Sequence, residues 1–248
     1  MFSAEYRDRI TAVLVEAAEA DSDIVSAAFV GSSAVGGDRW SDLDLTLSVS
    51  SATTVASVLE RWTQRMNNEF DAVVLFDVSV QNTIYRVFLL PGALQIDLSF
   101  APEAEFGAYG PRFRLLFGSA IERERPAPFN AQHVFGMAIH HVVRAQICIE
   151  RERLWQAEYW IHHARDLALE LACHRAGIEP SHGRGFDQLD PPLITEFARA
   201  LPVELTPLEL KRALAVTTSA LLHQGVGFAE SVEPLRLMLN EISQPDFD

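Results

Sequence analysis

The sequence predicts an α+β chain: an N-terminal mixed β-sheet with helices on one side, followed by an all-α bundle. Three observations predict it. Short apolar or alternating runs recur through the first hundred residues, the mark of strands. From residue 132 onward the apolar spacing is helical. Between the two lies a charged, proline-containing stretch, 120–128, which suits an extended linker. The expected division is therefore 1–125 and 126–248.

Taken in order, residues 4–20 read as a helix rich in Ala, Glu and Leu, with Ile10, Val13 and Leu14 on one side. A buried strand is expected at 24–30, then a glycine- and serine-rich turn in which 32–36 starts a short helix, then a strand at 42–49. Val55, Val58, Leu59 and Trp62 place a helix over 53–67. Two β-rich runs, 72–78 and 83–90, flank Gln81-Asn82 as a hairpin. Pro91-Gly92 turns the chain into the alternating run Leu94 to Phe100. That gives a sheet of about five strands. Residues 102–118, with Phe106, Tyr109, Phe113 and Phe117 set among Gly107 and Gly110, fit neither period. Beyond the linker, 132–153 and 154–176 read as two long antiparallel helices, the second capped by Gly177. A glycine-rich loop (181–192), a short helix (193–199) and helices at 207–224 and 229–242 complete the bundle.

At 248 residues, 48% hydrophobic and 22% charged, the composition is that of a globular protein. No apolar stretch reaches the length of a membrane span, and Met1 to Asp8 lacks the pattern of a signal peptide. Cys148 and Cys173 lie in helical patterns and read as reduced, buried thiols, so a cytoplasmic location is expected. The net charge of −14 disfavours a large nucleic-acid footprint and suits a cationic small partner.

Candidate chemistry concentrates in Gly31-Ser32-Ser33-Ala34-Val35-Gly36-Gly37-Asp38-Arg39-Trp40-Ser41-Asp42-Leu43-Asp44-Leu45. With period two, Asp42 and Asp44 share a strand face. Adjacent carboxylates repel unless a cation sits between them, and a hard divalent ion, Mg2+ first, prefers such oxygens. Asp97 stands in the same setting on a later strand, opposite the face of Ile96, Leu98 and Phe100. Glycines and serines ahead of Asp42 suit a turn whose amides cradle phosphate. Together these are the parts that metal-assisted phosphoryl or nucleotidyl transfer needs.

Gly31-Ser32, Ser41-Asp42-Leu43-Asp44-Leu45 and the distal Asp97 resemble the nucleotidyltransferase superfamily, which includes DNA polymerase beta and the aminoglycoside and lincosamide nucleotidyltransferases. The motifs cover about the first hundred residues, and the helical second half is similar to that of small antibiotic-modifying members. The resemblance implies that Asp42, Asp44 and Asp97 hold Mg2+. It further implies that Gly31, Ser32, Ser33, Arg39 and Ser41 meet ATP or another nucleoside triphosphate. The acceptor is then a small molecule, with an aminoglycoside favoured and a lincosamide as rival; antibiotic resistance is the implied role. Relatives often carry an arginine in the turn; none stands at Val35 and Gly36, and Arg39 is the nearest cation. A general base is expected on the helical domain, and Glu158, amid Trp155, Tyr159 and Trp160, is the candidate; His162 lies one turn on. Arg144 and Arg165 read as partners of Glu158 or Asp166, or as ligand contacts. Arg112 and Arg114 flank Phe113 and read as surface ion pairs or phosphate contacts. His133, His140, His141, His162 and His163 form no metalloprotease motif. The loop Gly183-Arg184-Gly185-Phe186-Asp187 lacks a P-loop ending. A homodimer is a further expectation. The alternatives are a protein-modifying nucleotidyltransferase, an inactive antitoxin-like binding protein and, disfavoured by charge, an RNA-tailing enzyme.

Overall fold

The computed structural model describes residues 1–123, 127–227, 232–239 and 242. The chain forms two compact units, Met1–Ala127 and Pro128–Asp248. Residues 124–126 of the expected linker lie outside the described residues.

The first unit is built on helix α1 (Ala4–Ala20), strands β1 (Ile24–Val30) and β2 (Leu43–Val49), helix α2 (Val55–Phe70), and strands β3 (Val73–Val80), β4 (Thr83–Leu90) and β5 (Leu94–Pro102). Short strands β6 (Gly107–Ala108), β7 (Phe113–Phe117) and β8 (Ile121–Glu122) follow. The main sheet has six strands in the order β3-β4-β5-β2-β1-β7, and β6 pairs with β8 apart from it. The sixth strand, β7, comes from the stretch that fitted neither period: its side chains alternate about Phe113 but glycines surround it. β8 pairs the start of the expected linker with β6, and both of its residues are exposed.

Local chemistry explains the helices. Ser3 caps α1 by accepting from the Tyr6 amide, and Thr54 caps α2 by accepting from Ser57. Val58, Leu59, Trp62 and Met66 give α2 one buried face. That face packs on one side of the sheet with α1, against Leu43, Leu45, Leu47, Ile96, Leu98 and Phe100. Trp62 meets Phe100 edge to face with ring centroids 6.0 Å apart. Because strand side chains alternate, the residues between these leucines point to the other side of the sheet. There, Phe106 and Phe113 cover Ala28 and Ala101 at the far end of the strands.

The second unit is α-helical: α3 (Ala131–Glu150), α4 (Leu154–Ala176), α5 (Pro191–Ala198), α6 (Pro207–Gly225) and α7 (Val232–Met238). Helix α4 ends at Gly177 in the left-handed conformation, as its sequence predicts. Two single 3-10 turns, Ser181–Gly183 and Phe186–Gln188, lie in the expected glycine loop. Of the expected helix 229–242, Ala229, Glu230, Ser231, Asn240 and Glu241 lie outside the described residues. Helix α6 packs against both α3 and α4. None of the described helices is long and apolar enough to cross a membrane.

A charged staple closes the α5–α6 connection. Arg212 forms an ion pair with Glu209 at 2.6 Å and donates to the carbonyls of Arg199 and Leu201, while Glu209 accepts from the Val203 amide. The Arg212 guanidinium and that amide hold the Glu209 carboxyl down at about 2. A depressed carboxyl contributes stability fully above its unfolded value and loses it as pH falls toward the folded one. Glu209→Gln is therefore expected to lower Tm at pH 7, with the gap from wild type closing between about pH 4.5 and about 2. Thermal melts across that range check it; a gap of constant size would remove the staple's role.

Candidate functional site

Three carboxylates converge on the sheet face away from α1 and α2. β2 and β5 are parallel neighbours, and Asp44 stands directly opposite Asp97. Asp42 is the residue before β2 begins, not a strand residue, yet it still joins them. Asp42, Asp44 and Asp97 each offer an oxygen, all within 4.8 Å of one another, and all three are partly buried. Burial pushes the Asp97 carboxyl up, against the hydrogen bond from Gln95 Nε2 at 3.1 Å, and the Asp42 charge pushes it further. The donor set is all carboxylate oxygen, which fits Mg2+ in charge and hardness.

The turn after β1 holds this cluster in place. Ser33 Oγ donates to the Asp42 carbonyl (3.3 Å) and accepts from the Asp44 amide (3.0 Å), clipping the turn across the start of β2. Ser32 Oγ donates to Asp42 Oδ1 at 3.3 Å. Residues 32–36 form a turn instead of the expected helix start. The cause is conformational: Gly31, Gly36 and Gly37 take φ of 57°, 97° and 36°, outside helical space. At Gly31 a Cβ would lie 2.5 Å from Asp44 Oδ2, so only glycine lets the turn backbone come this close to the carboxylate. Within the turn, the amides of Ala34, Val35 and Gly37 bond to the carbonyls of Val30 and Ser32. Ser41 Oγ accepts from the Asp38 amide and donates to its carboxylate.

The remaining expected residues fall in several places. Arg39 is exposed, with its guanidinium stacked 3.8 Å from the Trp40 ring centre. A small pocket of about 160 Å³ lies beside the turn, lined by Ser33, Gly36, Gly37, Ser41 and Asp42 together with Arg7 and Arg114. Arg7 gave no sequence signal, because it is one polar residue on an amphipathic helix. Arg114 stands opposite Phe29 and over its ring, on the helix-covered side of the sheet. Arg112 is exposed ahead of β7. A larger cavity of about 550 Å³ opens at the other end of β2, but among the described residues the one carboxylate lining it is Glu103, and no metal-ligand set converges there.

Glu158 is half-buried on α4 of the second unit and is not a member of the carboxylate cluster. Among the described residues, neither Arg144 nor Arg165 pairs with Glu158 or Asp166. Asp166 pairs instead with His162 at 3.3 Å, and the buried Arg165 contacts His162 Nδ1. The i, i+3 and i, i+4 spacing from His162 accounts for both contacts. His141, His163 and Trp160 pack ring to ring between α3 and α4, and no metal-ligand group forms from these histidines among the described residues.

No family model matches the chain, and no curated protein matches it. Solved structures do. One is an aminoglycoside 6-adenyltransferase from Bacillus subtilis, at 15% identity over 98% of this chain and 99% of that one, with a TM-score of 0.41. Another is a nucleotidyltransferase-like protein from Exiguobacterium sibiricum 255-15, at 12% identity over 94% of this chain and 80% of that one, also at 0.41.

Proposed function

We propose that the chain transfers a nucleoside monophosphate from a nucleoside triphosphate to the hydroxyl of a small acceptor, releasing pyrophosphate. One observation carries this reading: Asp44 and Asp97 face each other on adjacent parallel strands with Asp42 beside them, their oxygens within 4.8 Å. Three carboxylates this close repel one another, and a bound cation offsets that repulsion. Bound Mg2+ would supply charge neutralisation at the phosphates and acidify the attacking hydroxyl.

The chain's own groups divide the work by position. The serine turn follows β1, on one flank of β2, while Asp97 stands on the other flank. The turn is the triphosphate side. Its amides at Ser32, Ser33 and Gly36, unused by the turn's own hydrogen bonds among the described residues, are the ones able to meet an anion. The Ser33 clip fixes the turn against Asp42 and Asp44, so the phosphate and the carboxylates keep one spacing. The Asp97 flank is the acceptor side. Glu158 is the proposed proton acceptor from the attacking hydroxyl. ATP is the first triphosphate to test. The charge of −14 favours a cationic acceptor such as an aminoglycoside, with a lincosamide next.

Pyrophosphate release, measured with each nucleoside triphosphate against a panel of hydroxylated acceptors, tests the reading. Mg2+-dependent release with at least one pair is expected. No release from any pair, together with no Mg2+-dependent nucleotide binding by calorimetry, would overturn it.

A further inference from the structure

The sheet register carries the site's own row outward across the acceptor flank. Asp97 stands opposite Val87 of β4, and Val87 opposite Phe76 of β3. Opposed residues share a face, so Val87 and Phe76 lie on the carboxylate side at about 5 and roughly 10 Å from Asp97. By the same register, Val73 with Leu89, and Val78 with Tyr85, are on this face too. Val87 itself is buried and Tyr85 half-buried, so the open part of this face lies on β3 and the end of β4: Val73 is 61% exposed, Phe76 54%, Val78 46%, Val80 45% and Leu89 38%. Every carboxylate-side position of β3 and β4 is uncharged. The one ion pair here, Asp77 with Arg86 at 2.6 Å, is on the opposite face, where Arg86 also reaches Thr63 of α2.

From this arrangement we infer that the β3–β4 surface is the acceptor subsite. It receives an uncharged apolar group of the molecule whose hydroxyl is presented at Asp97. This rests on the nucleotidyl-transfer reading and narrows it: the acceptor is amphipathic, with an alkyl or ring portion that reaches Phe76, roughly 10 Å from Asp97 across the buried Val87. The amines of a cationic acceptor find no carboxylate on these strands, so the part seated there is its uncharged part. Two observations separate this occupant from a second copy of the chain. The exposed apolar area is on the order of 400 Å², in the range of functional patches but about half of what a stable dimer buries per partner. In addition, the edge strand β3 carries a bulge between Val74 and Phe76, which interrupts the regular ladder needed for edge-to-edge pairing.

Calorimetry on the full chain tests this, with methyl, hexyl and octyl glucoside below the micelle concentration and with Mg2+ and a non-hydrolysable ATP analogue present. Affinity should rise along the series, by at least tenfold from methyl to octyl, since each buried methylene contributes about a fourfold gain. Phe76→Ser and Val78→Thr should each flatten the series while binding the ATP analogue as wild type does. Both positions are exposed, so folding should survive, and melting curves check that. A flat series in wild type, or a slope that persists in both variants, overturns the subsite. So does a wild-type dimer in sedimentation that Val78→Asp dissociates, since a second copy would then hold the surface. Asp44→Asn separates the two readings: it should lose the metal response and keep the chain-length slope. Loss of nucleotide binding in wild type with the slope intact would remove the transfer reading and leave the apolar site standing.

Discussion

Asp44→Asn is expected to lower nucleotidyl transfer by about a thousandfold or more, roughly 4 kcal/mol of transition-state stabilisation, the scale on which removing a metal ligand acts. The same substitution should raise Tm in EDTA. Asp42, Asp44 and Asp97 lie within 4.8 Å of one another, and burial already raises the Asp97 carboxyl. Removing one charge relieves repulsion that the fold otherwise bears. In Mg2+ the order reverses: a ligand at a hundred times its Kd stabilises the folded state by about 2.7 kcal/mol, and the variant loses that gain. Paired melts of both proteins in EDTA and in Mg2+, beside pyrophosphate release, read the crossing directly. A variant that keeps activity, or that responds to Mg2+ as wild type does, would remove Asp44 from the metal role.

The carboxylates were legible in the sequence because their signal is local. Asp44 and Asp97 each sit between buried aliphatic residues in an alternating run, so period two alone sends them to the open face. Helix α4 and strands β1 and β4 were legible for the same reason. What sequence could not give was anything set by register between distant strands. The parallel pairing that puts Asp44 opposite Asp97 joins residues more than fifty positions apart. β3 reads as a β-rich run, and neither its place at the sheet edge nor the exposure of Phe76 and Val78 follows from that. β7 hid behind arginines at 112 and 114 and the glycines before it. The turn reads as a helix start whose amides would favour phosphate, while positive φ at Gly31, Gly36 and Gly37 decides against one. Beyond the phosphate contact expected of it, Ser33 joins its hydroxyl to the Asp42 carbonyl and the Asp44 amide, a contact that exists only once turn and strand are together.

The turn also separates backbone strain from crowding at the carboxylates, through two glycines. Gly31→Ala is expected to cut transfer by at least a hundredfold and to destabilise the fold by about 1–3 kcal/mol. Its φ of 57° lies in the left-handed region, where an L-residue costs about 1–2 kcal/mol. The larger effect is steric: the new Cβ would stand 2.5 Å from Asp44 Oδ2, so the carboxylate or the turn must move. Gly36→Ala is the control. Gly36 has φ of 97°, less tolerable for an L-residue than 57°, but a Cβ there meets nothing within 4 Å. Strain alone therefore predicts that the Gly36 variant suffers at least as much. Crowding of Asp44 predicts that Gly31→Ala loses transfer and the Mg2+ response together, while Gly36→Ala loses stability and keeps both. Transfer rates and Mg2+-dependent melts on the two variants decide between them. Equal losses of transfer at both positions would mean that the close approach of Gly31 to Asp44 has no part in the chemistry.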